Sequence, residues 1–403
     1  MRQHARRLAG FILLPAMSMI ASVVLLPLVS DQYGSAGWVT LALGQSIGAM
    51  ASVVVSLAWP LTGGHEVANA GPVERRNIYR RSVTSRLTVL VAMLAITVPV
   101  TFTLTSTYPL AATLFMVGIT LNGLTASWFY AGTGEPRYVV INEGLVRLGA
   151  YLVSVVGLLL GAGLLWYAAV MALSGFAMVV LNWRQVMGRE NIFRTWDVRE
   201  SFGLVRQQLA GTLARVLQAL FGFGGPTLFS GLAPAALPVY AGLDQIQKAA
   251  NNALGVVPYA FIGYVGSSDA SRFFRRMARS MLLVTGLSVV AAVFWAFAGA
   301  LVVRLLFSGS LEIPPGGHLL LTLCVLAVFL CRSFELLVMV PLGFEKAIYS
   351  ATSVASVVGL VLMVGAALTF GALGGLAVWV ACHLGLLAYY GVVVATFRRR
   401  LAV

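Results

Sequence analysis

The sequence predicts an all-α polytopic membrane protein with twelve transmembrane helices, in two parallel-repeat six-helix lobes around a central cavity. Three observations predict this fold: an apolar composition, the alternation of basic and uncharged connections, and an internal repeat. The chain of 403 residues is 59% hydrophobic and only 10% charged, whereas a soluble domain carries about 25% charged residues. A soluble domain and a disordered chain are both excluded by this composition.

Twelve segments are long and apolar enough to cross a bilayer, which takes about 20 residues of helix. Their continuous apolar character favours helices over the alternating strands of about 10 residues that form outer-membrane barrels. The basic start at 1–7 resembles a signal peptide, but the apolar run after it continues to residue 29, so we interpret it as a retained helix. The predicted spans are 8–29, 38–61, 87–104, 110–130, 138–160, 163–181, 204–229, 235–263, 281–307, 318–342, 348–368 and 374–393.

The 27 lysine and arginine residues divide unevenly between alternate connections. One set holds 21 of them: 1–7, 62–86, 131–137, 182–203, 264–280, 343–347 and 394–403. The opposite set holds none: 30–37, 105–109, 161–162, 230–234, 308–317 and 369–373. Cytoplasmic loops carry the excess of basic residues, so both termini are predicted to be cytoplasmic. Topology and contact with anionic membrane lipids explain the net charge of +14, and no nucleic-acid partner is predicted.

Two basic loops have similar sequences at a constant offset of 195 residues. Residues 71–74 and 78–81 (GPVE and IYRR) correspond to 266–269 and 273–276 (GSSD and FFRR). A looser match relates the loop from Gly132 to the loop from Gly343. Because the offset joins span n to span n+6, the two halves have the same orientation, as in parallel-repeat transporters.

The repeat divides the chain into three predicted parts. An N-terminal six-helix lobe covers residues 1–181, a cytoplasmic linker between the lobes covers 182–203, and a C-terminal six-helix lobe covers 204–403. Two similar lobes can rock against each other around a central site, which is typical of transporters.

Four basic residues lie deep inside predicted spans, where a charge costs at least a few kcal/mol and therefore suggests a role in a polar cavity. Arg206 and Arg304 lie near span ends, where their side chains can reach the interface. Guanidinium groups bind phosphate through paired hydrogen bonds, so an anionic, pyrophosphate-bearing substrate is predicted. The predicted substrate-binding residues are Arg147, Arg215, Lys248 and Arg332.

Three carboxylates accompany these basic residues at helical spacing, so that each pair shares one helix face. The pairs are Glu143 with Arg147, Asp244 with Lys248, and Glu335 with Arg332. Two interpretations stay open: the pairs only lower the cost of insertion, or they belong to the cavity. In the second case Asp244 or Glu335 couples transport to protons or sodium. Arg215 has no acid in its own predicted helix and is the best single candidate for binding an external anion.

The sequence lacks the motifs of the common enzyme classes. It has no phosphate-binding loop of the type that hydrolyses ATP, no catalytic triad and no zinc-ligand spacing. The three cysteines lie inside apolar runs and are interpreted as packing residues. We therefore predict a protein that is not an enzyme and that uses no cofactor and no metal.

Short motifs across most of the chain resemble those of bacterial polysaccharide transporters and O-antigen flippases, in the multidrug/oligosaccharidyl-lipid/polysaccharide exporter superfamily. The Asn142 and Arg147 positions resemble the pattern of the family's fifth helix. The other matching positions are 128–132, Glu135 and Tyr138 at the fourth helix, 239–241 and Lys248 in the eighth, Gly343, Glu345, Lys346 and Tyr349 after the tenth, and 371–375 before the last. The chain departs from usual members in its preference for arginine over lysine and in its short ends.

The resemblance implies a flippase of the bacterial cytoplasmic (inner) membrane. Its expected substrate is an undecaprenyl-pyrophosphate-linked oligosaccharide, moved from the inner to the outer leaflet by alternating access, with Arg147 as the best-supported site residue. A polysaccharide polymerase and glycosyltransferases are candidate partners. Two alternatives stay open: an ion-coupled drug or metabolite antiporter of the same superfamily, with an acid-dominated cavity, and a non-transporting scaffold of a polysaccharide-assembly complex.

Overall fold

The computed structural model describes the backbone of residues 2–191, 196–255, 257–258, 261 and 270–401. Side chains are described over the same ranges except 2–24, 270–272, 398–401 and two alanines at 210 and 214. The second copy of the repeated loop, 266–269, therefore lies outside the described residues.

The described chain is built from helices joined by short connections. Proline occupies one of the first two positions of several of them, where its missing N–H costs nothing, and the Asp197 side chain caps another by accepting from the Arg199 amide at 2.8 Å. In chain order the helices are α1 (Arg2–Ser56), α2 (Trp59–Asn69), α3 (Pro72–Leu104), α4 (Pro109–Thr120), α5 (Ser127–Thr133), α6 (Arg137–Leu159), α7 (Gly163–Met187), α8 (Val198–Phe223), α9 (Gly225–Leu232), α10 (Leu237–Leu254), α11 (Ala270–Leu306), α12 (Gly317–Met339) and α13 (Glu345–Leu401).

Each of the twelve predicted spans is mostly helical over its described part, and the chain is a multi-pass membrane protein. Eight helical stretches in the described ranges are long and apolar enough to cross a membrane by themselves. One of these, Glu345–Phe397, holds the last two spans. The seventh and eighth spans, in α8 to α10, are not among the eight because charged and amide side chains lower their hydropathy.

Two glycines turn what is otherwise continuous helix into pairs of spans. Gly34 in α1 and Gly371 in α13 have φ values of 59° and 58°, in the region that only glycine occupies without a steric cost. Each lies at the outer connection that the charge pattern predicts. The helix ends there, and the chain starts back through the bilayer.

Small residues set the helix packing around the site. A Cβ atom on Gly44 or Gly48 of α1 would lie 2.6 and 2.7 Å from carbonyl oxygens of α4. A Cβ atom on Gly118 of α4 would lie 2.8 Å from the Met171 carbonyl of α7. These glycines allow the backbones of α1, α4 and α7 to approach closely, as small residues do between membrane helices.

The chain divides into two compact units, residues 1–227 and 228–403. Helix α8 belongs to the first unit, although the sequence analysis assigns it to the C-terminal lobe. The reason is a set of contacts with α1, including the Ser46 hydroxyl, which donates to the Phe223 carbonyl at 2.5 Å. The functional division into lobes at 182–203 stays a prediction.

Candidate functional site

The helix of the second predicted span is interrupted between α1 and α2, at residues 57–58, which we name the first break. Leu57 has a φ of 52°, which is rare for a residue with a side chain. Arg215 of α8 donates through Nη1 to the Ser56 hydroxyl at 2.9 Å and to the Leu57 carbonyl. The Ala58 amide donates to Oε1 of Gln208 at 3.0 Å. Helix α8 thus satisfies both polar groups that the interruption frees.

The fourth span is interrupted in the same way at residues 121–126, which we name the second break. Arg86 of α3 is fully buried and donates through Nη1 to the carbonyls of Gly123 and Thr125, at 3.1 and 2.9 Å. Its guanidinium carbon lies 5.8 Å from the centre of the Trp128 ring. A single guanidinium therefore satisfies two of the backbone carbonyls at the second break.

Glu143 completes the second break from the opposite side. It lies in a π-helical turn of α6, Val140–Leu145, a distortion that is frequent at functional sites. Its Oε1 accepts from the Ala126 amide at 2.8 Å and from Nδ2 of Asn182 at 3.2 Å.

The helical segments that follow the two breaks pack against each other. Trp59 of α2 and Trp128 of α5 stack with their ring centres 5.5 Å apart. A Cβ atom on Gly132 would lie only 2.5 Å from the Gly64 carbonyl, so the two backbones are in close contact. Helices α2 and α5 therefore form one packed pair.

Arg147 is held by the second break. Its Nη2 donates to Oδ1 of Asn122 at 2.8 Å. Within the described ranges no Arg147 nitrogen lies within 4.0 Å of Glu143, so the predicted ion pair does not form. The carboxylate is engaged by an amide and by Asn182 instead, and Arg147 keeps its charge beside a neutral partner.

In the second unit both predicted ion pairs form. Nζ of Lys248 lies 2.6 Å from the Asp244 carboxylate, with side chains 18% and 4% exposed. Nη1 of Arg332 lies 3.2 Å from Glu335, whose other oxygen accepts from the Tyr390 hydroxyl at 2.9 Å. The Arg332 side chain is 59% exposed, whereas the Glu335 side chain is only 8% exposed.

The structure brings only some of the predicted site residues together. Arg147 and Arg215 belong to the first unit, and each hydrogen-bonds a residue at or next to one of the breaks. Lys248 on α10 and Arg332 on α12 belong to the second unit. Both arginines at the breaks have neutral hydrogen-bond partners, whereas the two basic residues of the second unit have acids.

Arg86 is the residue that the sequence analysis missed. We assigned it to the cytoplasmic connection 62–86 as a surface charge, but the structure buries it completely. This assignment is wrong. It followed from the sequence because Arg86 directly precedes an apolar run, which is the usual position of a charge at the end of a membrane span. The Asn122–Gly123 pair inside an apolar span was the available signal, since both residues are weak helix formers.

Comparison with solved structures shows which fold this is. A multidrug resistance MATE family transporter of the MOP superfamily, in an inward-facing conformation, superposes with a TM-score of 0.64 at 13% identity, covering 97% of this chain and 99% of that one. The lipid II flippase MurJ, in an inward closed conformation, has a TM-score of 0.64 at 10% identity, covering 96% and 86%. A eukaryotic MATE transporter has a TM-score of 0.57 at 12% identity, covering 98% and 96%.

The chain therefore has the two-lobe helical fold of MOP-superfamily exporters and flippases, as the sequence resemblance implies. The similar structures are transporters and a flippase. No family model matches the sequence, and no curated protein does.

Proposed function

We propose that this protein is a flippase for an undecaprenyl-pyrophosphate-linked oligosaccharide in the bacterial cytoplasmic membrane, with both termini cytoplasmic. The observation that carries the proposal is the presence of four basic side chains inside predicted spans, in a fold that a lipid II flippase shares. These side chains are Arg147, Arg215, Lys248 and Arg332. The prenyl tail stays in lipid while the head group crosses by alternating access.

The electrostatics of the four residues give them different roles in this proposal. Arg147 and Arg215 are bound by an amide, a hydroxyl and a carbonyl, which leave the positive charge uncompensated by direct contact. Guanidinium groups with neutral partners are suited to a diphosphate, which forms charge-assisted hydrogen bonds that neutral acceptors cannot match. Lys248 and Arg332 hold acids of their own and must release them, at least in part, to bind an anion.

Arg147→Ala is expected to lower the flipping rate roughly ten- to hundredfold, because a charge-assisted hydrogen bond worth about 1.5–3 kcal/mol is lost. The measurement is dithionite protection of a fluorescently labelled undecaprenyl-diphosphate disaccharide in proteoliposomes. Arg304→Ala is the matched control, since Arg304 is exposed near the end of α11. This variant is expected to flip the substrate at the unchanged rate. Equal rates for both variants would remove Arg147 from the proposed site.

Asp244 and Glu335 are our candidates for coupling transport to protons or sodium. Asp244→Asn is expected to destabilise the protein by about 3–5 kcal/mol, because it removes the carboxylate that compensates the Lys248 ammonium, whose side chain is only 18% exposed. The double variant Asp244→Asn/Lys248→Gln is expected to recover most of that stability, as measured by thermal unfolding in detergent. If the recovered double variant also flips substrate at the normal rate under every ion gradient, the pair has only a structural role.

An ion-coupled antiporter is the second candidate function, since MATE transporters share the fold as fully as the flippase does. The buried carboxylates Asp244 and Glu335 favour it. It predicts uptake of cationic drugs into proteoliposomes driven by a proton or sodium gradient, with no movement of the labelled diphosphate lipid.

As a flippase, the protein would work beside glycosyltransferases and a polysaccharide polymerase, which supply and consume its substrate.

A further inference from the structure

A cavity of about 720 Å³ lies in the first unit, beside the last three turns of α7. Its chemistry changes along the helix. The wall within the span is apolar and is formed by Leu87 of α3 and Phe176, Val179 and Val180 of α7. The wall beyond Trp183 is polar and carries Arg184 and Arg189. Phe176 and Arg184 are eight residues apart, or about 12 Å along the helix.

The polar end of the cavity is held in a fixed shape. The chain turns at Gly188, whose φ is 70°, and the Trp183 indole donates across the turn to the Glu190 carbonyl at 2.8 Å. From α3, Arg76 donates to the Met187 carbonyl at 3.1 Å. The turn that carries the cationic side of the cavity is therefore anchored at both ends.

The cavity is electrostatically suited to an anion. Glu190 is the acid that lines it, and Arg76 binds the Glu190 carboxylate at 3.4 Å. Arg184 and Arg189 are both exposed, so their charges face an incoming ligand. Neither residue is part of the two breaks, and the site is separate from the residues of the proposed flipping pathway.

We propose that this cavity binds an anionic phospholipid of the inner leaflet. The phosphate lies between Arg184 and Arg189, and one acyl chain follows Phe176 and Val180. The charge pattern places this end of α7 on the cytoplasmic side, where anionic lipid is concentrated. Phe176 is 61% exposed on the helix surface, and a soluble anion would gain nothing from this apolar wall. The inference is independent of the transported substrate.

The test is native mass spectrometry of the full chain in detergent, titrated with dioleoyl-phosphatidylglycerol or dioleoyl-phosphatidylcholine. We expect the protein to prefer phosphatidylglycerol, and Arg184→Gln/Arg189→Gln to weaken that binding roughly thirtyfold. The matched control is Arg137→Gln/Arg199→Gln, which removes two exposed charges from the same predicted side. Equal losses in both double variants would overturn the site, because they would indicate attraction by net charge alone.

A second variant tests the apolar half of the cavity without changing charge. Val180→Trp fills the groove and is expected to reduce phosphatidylglycerol binding by a similar factor. Geranylgeranyl diphosphate is the competitor that distinguishes a phospholipid site from a site for the prenyl-diphosphate substrate. If it displaces phosphatidylglycerol at equal concentration, the groove is a substrate site and the phospholipid proposal is wrong. Unchanged binding in Val180→Trp would contradict the placement of the acyl chain.

Discussion

Arg86→Leu is expected to destabilise the first unit by about 3–5 kcal/mol and to abolish transport. The substitution leaves the carbonyls of Gly123 and Thr125 without the hydrogen bonds that they accept from the buried guanidinium. An unmade backbone hydrogen bond is costly inside a membrane span. Thermal unfolding in detergent and the yield of monodisperse protein measure the effect.

Two controls separate this role from a general loss of charge. Arg137→Leu removes an arginine that is 68% exposed and is expected to cost less than about 1 kcal/mol. Nε of Arg86 also donates to the Ser82 carbonyl at 3.2 Å. Arg86→Lys keeps the charge but cannot reach all three carbonyls, so an intermediate loss is expected. If Arg86→Leu were as stable as the Arg137 variant, the guanidinium would not support the second break.

Arg215→Ala is expected to lower flipping by about a hundredfold or more while the protein stays in the membrane. The hydrogen-bond partners of Arg215 are the Ser56 hydroxyl and the Leu57 carbonyl, both neutral, and its loss removes a charge-assisted hydrogen bond to the proposed diphosphate. The same substitution frees the Leu57 carbonyl at the first break, so some destabilisation accompanies it. The proteoliposome assay and thermal unfolding are measured on the same preparations.

The two effects of Arg215 are separated by variants of its neighbours. Ser56→Ala and Gln208→Ala weaken the contacts of the first break without removing the guanidinium. They are expected to lower stability by about 1 kcal/mol each and to retain most of the flipping activity. If these variants abolish flipping as completely as Arg215→Ala, then Arg215 acts by supporting the break and does not bind the substrate.

The sequence alone determined the class of fold. The length of the apolar segments predicted the spans, and the alternation of basic and uncharged connections predicted their number. The repeat at an offset of 195 residues indicated two halves of equal orientation. These features are visible because each depends on local composition, which the bilayer selects directly. The two ion pairs that formed, Asp244 with Lys248 and Glu335 with Arg332, were also predictable, since their spacing within one helix sets their distance.

The interrupted helices and their partners were decided only by the tertiary structure. Arg86 reaches across to Gly123 and Thr125, and Arg215 reaches from α8 to Leu57. No pattern along the chain encodes such pairings, because the partners lie 37 to 158 residues apart. A break in a membrane helix is tolerated only where other helices supply its missing hydrogen bonds. Packing therefore determined which arginines stabilise the backbone. It also determined that Glu143 accepts from the Ala126 amide and Asn182 and forms no ion pair with Arg147.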